Sequence, residues 1–159
     1  MKRHSFAAGL ALAVVSVLVF AGPAAAKEQV PFRGRLEGVS TVAPLTPPFV
    51  AVTLEGEGNA TQLGHFDVSS SIVADESNGT AVGTYEFTAA NGDTLTADYT
   101  EYFAPTDVPG VFSDVITATI TGGTGRFAGA TGSFVSHRAA DHVTGIVSDS
   151  FEGTISTPR

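Results

Sequence analysis

The sequence predicts an all-β protein, an eight-stranded antiparallel up-and-down β-barrel. Beyond residue 26, apolar and polar residues alternate with a period of two in run after run, as they do in half-buried strands. The runs are separated by Gly, Pro, Asn and Asp, and no segment among them carries an apolar stripe of helical period. Eight strands linked in sequence order can close into a barrel, which removes exposed edges. A two-sheet β-sandwich is the alternative fold.

The first element along the chain is a signal peptide. The basic residues Lys2 and Arg3 precede an apolar run over 6–20, and small residues follow at the end of the run. This pattern predicts Sec-type export and removal of 1–26, which leaves 27–159 as a single β-barrel domain. The chain has no cysteine that could be lipidated at the cleavage point. We therefore expect a secreted or periplasmic protein that is free of the membrane after cleavage.

Composition limits the partners of the exported domain. The whole chain has 8 basic and 16 acidic residues and a net charge of −8. Loss of Lys2 and Arg3 makes the mature domain more acidic still. Such a surface repels nucleic acids and anionic membranes, so the sequence predicts no nucleic-acid partner. Without cysteine the fold has no disulfide, and its core must stabilise it alone.

The eight strands are assigned from the alternation in chain order. They are predicted over 30–39, 49–58, 64–74, 80–90, 94–103, 111–121, 130–138 and 145–156. In the fourth, Tyr85 and Phe87 share one face; in the sixth, Ile116 and Ile120 do. The segment 91–93, Asn-Gly-Asp, is a strong hairpin signal because Asn and Gly both adopt positive φ. Short links of this kind favour antiparallel neighbours.

A glycine-rich segment, TGGTGRFAGATGSF at 121–134, joins the sixth and seventh predicted strands. It lacks the lysine of a phosphate-binding P-loop. It matches a dinucleotide-binding fingerprint only formally, because no βαβ unit surrounds it. We therefore predict a structural connection whose aromatic residue plugs the end of the core. The residues assigned to this turn are Gly122, Gly123, Gly125, Phe127 and Gly129.

The same segment resembles the G-G-T-G-x-F-x-x-A-x-G stretch of dirigent proteins and the corresponding stretch of allene oxide cyclases. Beyond it, the chain is similar to small exported bacterial proteins whose function is not known. The resemblance implies an eight-stranded barrel with an apolar cavity, and it implies self-association, because families with this barrel form dimers or trimers. The catalytic positions of those families do not align with this chain, so no catalytic residue is assigned.

The site hypothesis comes from residue phase near one rim of the barrel. Links over 40–48, 104–110 and 139–144 make this the rim with the longer predicted loops, where binding sites are favoured. Several charged residues there share the phase of apolar neighbours, so they are expected to point into the mouth. The candidate ligand-binding residues are Glu101, Asp114, Arg138, Asp149, Tyr99 and Phe112. A β-bulge would reverse the phase and turn the charged groups to water.

Metal and cofactor sites are not predicted. His137, Asp141 and His142 lie close in sequence, but their spacing matches no zinc signature and is typical of an exposed loop. No nucleophile elbow of the G-x-S-x-G type occurs either.

Three functions are therefore considered. The first is a secreted barrel that binds a small apolar or amphipathic molecule. The second is a cyclase-like or dirigent-like catalyst acting on such a molecule, and the third is a filled barrel that acts through its surface. Binding without catalysis is favoured. A carboxyl group held inside the barrel with a shifted pKa is the feature that would point to catalysis instead.

Overall fold

The computed structural model describes residues 28–157, which form a closed barrel of eight antiparallel strands. The predicted signal peptide lies outside the described residues. The strands are β1 (Val30–Pro44), β2 (Phe49–Ala60), β3 (Gly64–Asp75), β4 (Thr80–Ala89), β5 (Thr94–Pro105), β6 (Val111–Gly123), β7 (Thr131–Asp141) and β8 (Ile146–Ser156). Each pairs with the next in sequence, and β8 pairs with β1 to close the sheet. The predicted barrel is confirmed, and the sandwich alternative is wrong, because the pairing of β1 with β8 leaves no sheet edge.

Four strands extend beyond their predicted ends, at the rim where long links were expected. β1 continues to Pro44, β3 to Asp75, β5 to Pro105 and β7 to Asp141. The prediction of long loops at this rim is wrong, because the backbone groups there pair across the ladder, as between Val42 and Val52. The remaining loops are short, so the rim is walled by strands.

The interior of the barrel is packed with aromatic rings toward one end. The Phe32 and Phe134 rings are 5.5 Å apart between centroids, and the Phe66 and Phe87 rings 5.2 Å. Both pairs are edge-to-face, and Phe151 contacts several of them. All five side chains are at most 5% exposed. This half of the barrel is therefore filled by its own side chains.

The glycine-rich segment closes the filled end. β6 ends at Gly123, and a short 3-10 helix, η1 (Gly125–Phe127), follows it. Phe127 is 1% exposed and packs into the core, whereas Arg126 donates a hydrogen bond to the Leu63 carbonyl oxygen at 3.1 Å. Glycine is required at position 123, because a Cβ there would collide with the carbonyl oxygen of Thr94. The structure thus places the segment at the end of the barrel, as a connection between strands.

No helix among the described residues has the length and apolar character needed to cross a membrane.

Candidate functional site

A cavity of about 310 Å³ opens at the other end of the barrel, at the rim walled by the extended strands. Its walls are mainly aliphatic, and its floor carries charged groups. The apolar lining comprises Val42, Val50, Val52, Leu54, Ile72, Ala74, Phe103, Ala140, Val143 and Val147. The charged floor comprises Glu101, Asp114 and Arg138. An apolar cavity with a few convergent polar groups is the usual form of a small-molecule site.

The guanidinium of Arg138 is the centre of the floor. Its Nη1 lies 3.2 Å from a carboxylate oxygen of Glu101 and 3.9 Å from one of Asp114. Its Nε lies 3.4 Å from a carboxylate oxygen of Asp149. All four side chains are at most 7% exposed. The structure therefore brings together the four charged residues that the sequence pattern directed into the mouth.

Strand register explains this arrangement. Asp114 on β6 is directly opposite Arg138 on β7, and Arg138 is directly opposite Asp149 on β8. The three side chains therefore form one row across three neighbouring strands on the inner surface. Glu101 reaches the row from β5. The only irregularity between β5 and β6 lies between Thr96 and Ala97, below the row, so the phase near the rim is preserved.

A layer of tyrosine and serine hydroxyls lies against the charged row. The Tyr85 hydroxyl accepts a hydrogen bond from Arg138 Nη2 and donates one of 3.3 Å to Asp149. Ser136 donates to the other oxygen of Asp149. Tyr85 and Ser136 were not among the site residues predicted from the sequence. Their inward phase beside Phe87 and Arg138 was the available signal.

The six candidate residues do not all reach the cavity. Glu101, Asp114 and Arg138 line it, whereas Asp149 and Tyr99 belong to the buried network beneath. The Tyr99 hydroxyl shares a hydrogen bond of 2.8 Å with Ser70.

Phe112 is placed differently from the other candidates. Its ring stacks on His142 with centroids 4.1 Å apart, at the rim rather than in the wall.

The cluster contains three carboxyl groups and one guanidinium, so its charges do not cancel. Burial and, after it, the neighbouring charge of Glu101 raise the pKa of Asp114 to about 7, although Arg138 opposes both effects. Burial also raises the pKa of Glu101. Burial alone would lower the pKa of Arg138, but the surrounding Tyr85, Glu101 and Asp149 raise it, so the guanidinium stays charged. Near neutral pH, Asp114 can therefore gain or lose a proton.

Asp114 also has an atom without a partner. Its carboxyl group contacts that of Glu101. A hydrogen bond between them raises the pKa of Asp114 and lowers that of Glu101, so protonated Asp114 is the donor. Its Oδ1 is buried and makes no hydrogen bond with any described residue. Buried polar atoms are normally hydrogen-bonded, and leaving one unpaired costs about 1–3 kcal/mol. Asp114, which lines the cavity floor, therefore carries one unsatisfied polar atom.

Residues that could hold a metal lie elsewhere. Glu57, His65 and Asp67 on the outer surface could each offer a ligand atom, and these atoms lie within 4.8 Å of one another. All three are exposed to water. Two of them, Glu57 and His65, border a depression of about 690 Å³ on the outside of the barrel. It is larger than the mouth cavity, but its groups are exposed and already solvated, so it is the weaker candidate site.

The histidines noted in the sequence do not meet. His137 is on the outer face of β7, and His142 stacks on Phe112. Asp141 accepts hydrogen bonds from the backbone N–H groups of Val143 and Thr144 within its own turn.

A barrel closed at one end by a glycine-rich segment, with a polar-floored cavity at the other, has the fold expected from the dirigent resemblance. The solved pterocarpan synthase dirigent protein PsPTS1 superposes with a TM-score of 0.62 at 10% identity, over 83% of this chain and 97% of that chain. The pterocarpan synthase dirigent protein GePTS1 superposes with a TM-score of 0.61 at 12% identity, over 91% of this chain and 100% of that chain. No protein-family model and no curated protein matches the sequence. The dirigent-type fold is confirmed, and the likeness extends to fold alone.

Proposed function

We propose that the barrel binds a small amphipathic molecule in the mouth cavity. The apolar body of the ligand packs against the aliphatic wall, and its polar group reaches the floor. The observation that carries this proposal is that Asp114, which lines the floor of an open apolar cavity, has a buried carboxyl oxygen, Oδ1, with no hydrogen-bond partner among the described residues. A ligand with a polar group at that depth would complete its hydrogen bonding. The fold likeness to two dirigent proteins supports the same use of the barrel.

Replacing each of two neighbouring alanines on β7 with phenylalanine tests the proposal. Ala140 is buried and lines the cavity, whereas its neighbour Ala139 is exposed on the outer face. Ligand-detected NMR with a set of small amphipathic compounds should find binders of the native protein. Ala140→Phe should abolish their binding by filling the cavity, and Ala139→Phe should leave it unchanged. Equal binding to both variants would place the ligand elsewhere and overturn the proposal.

Catalysis is the second candidate, and the pKa of Asp114 favours it. A carboxyl group with a pKa of about 7 can both donate and accept a proton near neutral pH. A bound molecule with an acid-sensitive bond would meet such a group at the cavity floor. Turnover that follows the titration of Asp114 and disappears in Asp114→Asn would support a dirigent-like or cyclase-like reaction. Ligands recovered chemically unchanged would support binding alone.

Export is proposed together with the binding role. Residues 1–26 have the pattern of a cleaved signal peptide, so the mature protein would begin at Lys27 outside the cytoplasm. Intact-mass analysis of the protein recovered from the medium or periplasm tests this. A mass that retains 1–26 would contradict it. Sedimentation of the mature chain would test self-association, which stays a prediction.

A further inference from the structure

The hydrogen-bond donors of Arg138 are directed at the protein. Its Nε faces Asp149, its Nη1 faces Glu101 and Asp114, and its Nη2 donates to the Tyr85 hydroxyl. Each of the three guanidinium nitrogens therefore already has an oxygen partner. The carboxyl groups around Arg138 would also oppose the approach of an anionic ligand to its positive charge.

The hydrogen-bond acceptors at the floor of the cavity, unlike the nitrogens of Arg138, are not all paired. Three carboxyl groups surround one guanidinium, and Asp114 Oδ1 has no partner among the described residues. At the rim, Glu76 adds another acidic group, and burial lowers the pKa of His142, which favours its neutral form. Among the described residues that line the cavity, Arg138 is the only permanent cation. Once Asp114 is ionised, the cavity therefore carries surplus negative charge.

We propose that the mouth cavity selects ligands that carry a protonated amine on an apolar body, with the ammonium group donating to Asp114 Oδ1 and to Glu101. This inference rests on the proposed binding function and names its ligand class. The ammonium group supplies both features that the floor lacks, a positive charge and a hydrogen-bond donor. Such charge-assisted hydrogen bonds are roughly twice as strong as neutral ones.

Burial increases the importance of this charge. A carboxylate removed from water without a partner is costly, so a ligand cation that pairs with it gains more at this depth than at the surface. A carboxylate ligand would add a further negative charge beside Glu101 and Asp114. The aliphatic wall formed by residues such as Val52 and Ile72 suits the tail of the amine and not a small hydrated ion. The net charge of −8 also attracts cationic ligands at long range.

Binding of an ammonium should depend on pH through the groups that face Asp114. These are Glu101 from β5, Arg138 from β7 and Asp149 from β8, with Tyr85 from β4 beyond them. Above the titration range of Asp114 its carboxylate is charged and the ammonium is held best. Below that range Asp114 is neutral, and the affinity falls.

Three probes with one tail and different head groups separate the possibilities. They are n-hexylammonium, 1-hexanol and hexanoate, titrated by calorimetry or NMR at about pH 8, where a primary amine is still protonated. We expect the ammonium to bind at least about tenfold more tightly than the alcohol, as one charge-assisted hydrogen bond would give, and hexanoate to bind most weakly. Alcohol or hexanoate affinity equal to or above that of the ammonium would overturn the inference and leave the binding function standing. Binding of none of the probes would contradict the binding function, and this inference with it.

Variants locate the selectivity. Asp114→Asn should remove most of the advantage of n-hexylammonium over 1-hexanol and leave the affinity for 1-hexanol within about twofold, because the alcohol depends chiefly on the apolar wall. Glu86→Gln is the matched control, since it removes one negative charge from the exposed face of β4. It should leave the ratio of the two affinities unchanged. If Glu86→Gln lowers the ratio as much as Asp114→Asn, the preference is a property of the whole surface and the proposed site is wrong. Circular dichroism and thermal unfolding verify that each variant is folded.

Discussion

Arg138 and Asp114 are directly opposed across β6 and β7, yet the guanidinium engages only one side of the carboxyl group, 3.9 Å away, and leaves Oδ1 unpaired. The row that continues to Asp149 contains more negative than positive groups. Buried ion clusters contribute little net stability compared with well-packed apolar residues. Net stability therefore does not account for this cluster, whereas the proposed ligand site would use it.

Arg138 should be essential to the fold at neutral pH. Arg138→Met retains much of the aliphatic volume but leaves three buried carboxyl groups without a cation. We expect the free energy of unfolding to fall by about 3–5 kcal/mol, as measured by urea denaturation at about pH 8. Arg35→Met, on the outer face of β1, is the control and should change stability by less than about 0.5 kcal/mol.

The same variant should recover at lower pH. When carboxyl groups take up protons, the charge that Arg138 compensates disappears, so the loss in Arg138→Met should be smaller at about pH 5 than at about pH 8. A loss that is equal at both pH values would show that Arg138 contributes through packing and not through its charge.

Native stability should fall as pH rises through the titration of Asp114. The folded-state pKa of about 7 lies above the usual aspartate value of 3.8, so between these two values the folded state holds a proton that the unfolded state has released. The stabilisation is complete below about pH 4 and is lost as pH rises to about 7, by up to about 1.4 kcal/mol per pH unit. Glu101, whose pKa is also raised, acts in the same direction.

Asp114→Asn isolates this contribution. Between about pH 5 and pH 8, the free energy of unfolding measured in urea should fall less in the variant than in the native protein. The lowered pKa of His142 acts in the opposite direction, because the neutral folded form loses stability as pH falls, but it is common to both chains. Equal pH dependence in the two proteins would mean that Asp114 titrates normally.

Much of the fold could be predicted because alternation is a local signal. The predicted start of β2 at Phe49, of β3 at Gly64 and of β4 at Thr80 matches the structure, since glycine, proline and polar residues precede each strand. The ends of β1 and β7 could not be predicted. Their last residues alternate weakly and are extended because they pair with the next strand along the chain, as Ala43 does with Ala51 and Ala140 with Val147.

The candidate site could also be predicted only in part. Phase alone directed Asp114, Arg138 and Asp149 inward, and this was sufficient because no bulge interrupts β7 or β8. Phase could not show that register aligns these three in one row, nor that the Tyr85 hydroxyl lies between Arg138 and Asp149. Those relationships depend on the stagger of the closed barrel.

Tyr85 should connect the charged row to the aromatic core. Tyr85→Phe keeps the ring but removes the hydroxyl that accepts from Arg138 and donates to Asp149. We expect a loss of about 1–3 kcal/mol in thermal or urea unfolding, because two buried charged groups each lose a partner. Tyr102→Phe, on an exposed residue of β5, is the matched control and should be nearly neutral. A neutral Tyr85→Phe would show that water or a neighbour replaces the hydroxyl.

Gly123 should tolerate no side chain. In Gly123→Ala the added Cβ meets the backbone carbonyl oxygen of Thr94, which cannot move without breaking the pairing of β5 with β6. We expect the free energy of unfolding to fall by more than the roughly 1–2 kcal/mol that a left-handed backbone conformation costs an ordinary residue. Gly92→Ala provides that comparison, because its φ is +86° and nothing lies within 4 Å of its added Cβ. Equal melting temperatures for the two variants would contradict the close approach at Thr94.

Phe127 should stabilise the closed end of the barrel without affecting the mouth. Its side chain is 1% exposed, so Phe127→Ala removes a fully buried ring and should cost about 3–5 kcal/mol in urea unfolding. Phe49→Ala makes the same change at a ring that is 43% exposed, and it should cost less than about 1 kcal/mol. Because the cavity lies at the opposite end, folded Phe127→Ala should bind 1-hexanol as the native protein does. Weakened binding would show that the two ends are coupled, and a loss no larger than that of Phe49→Ala would refute the plug.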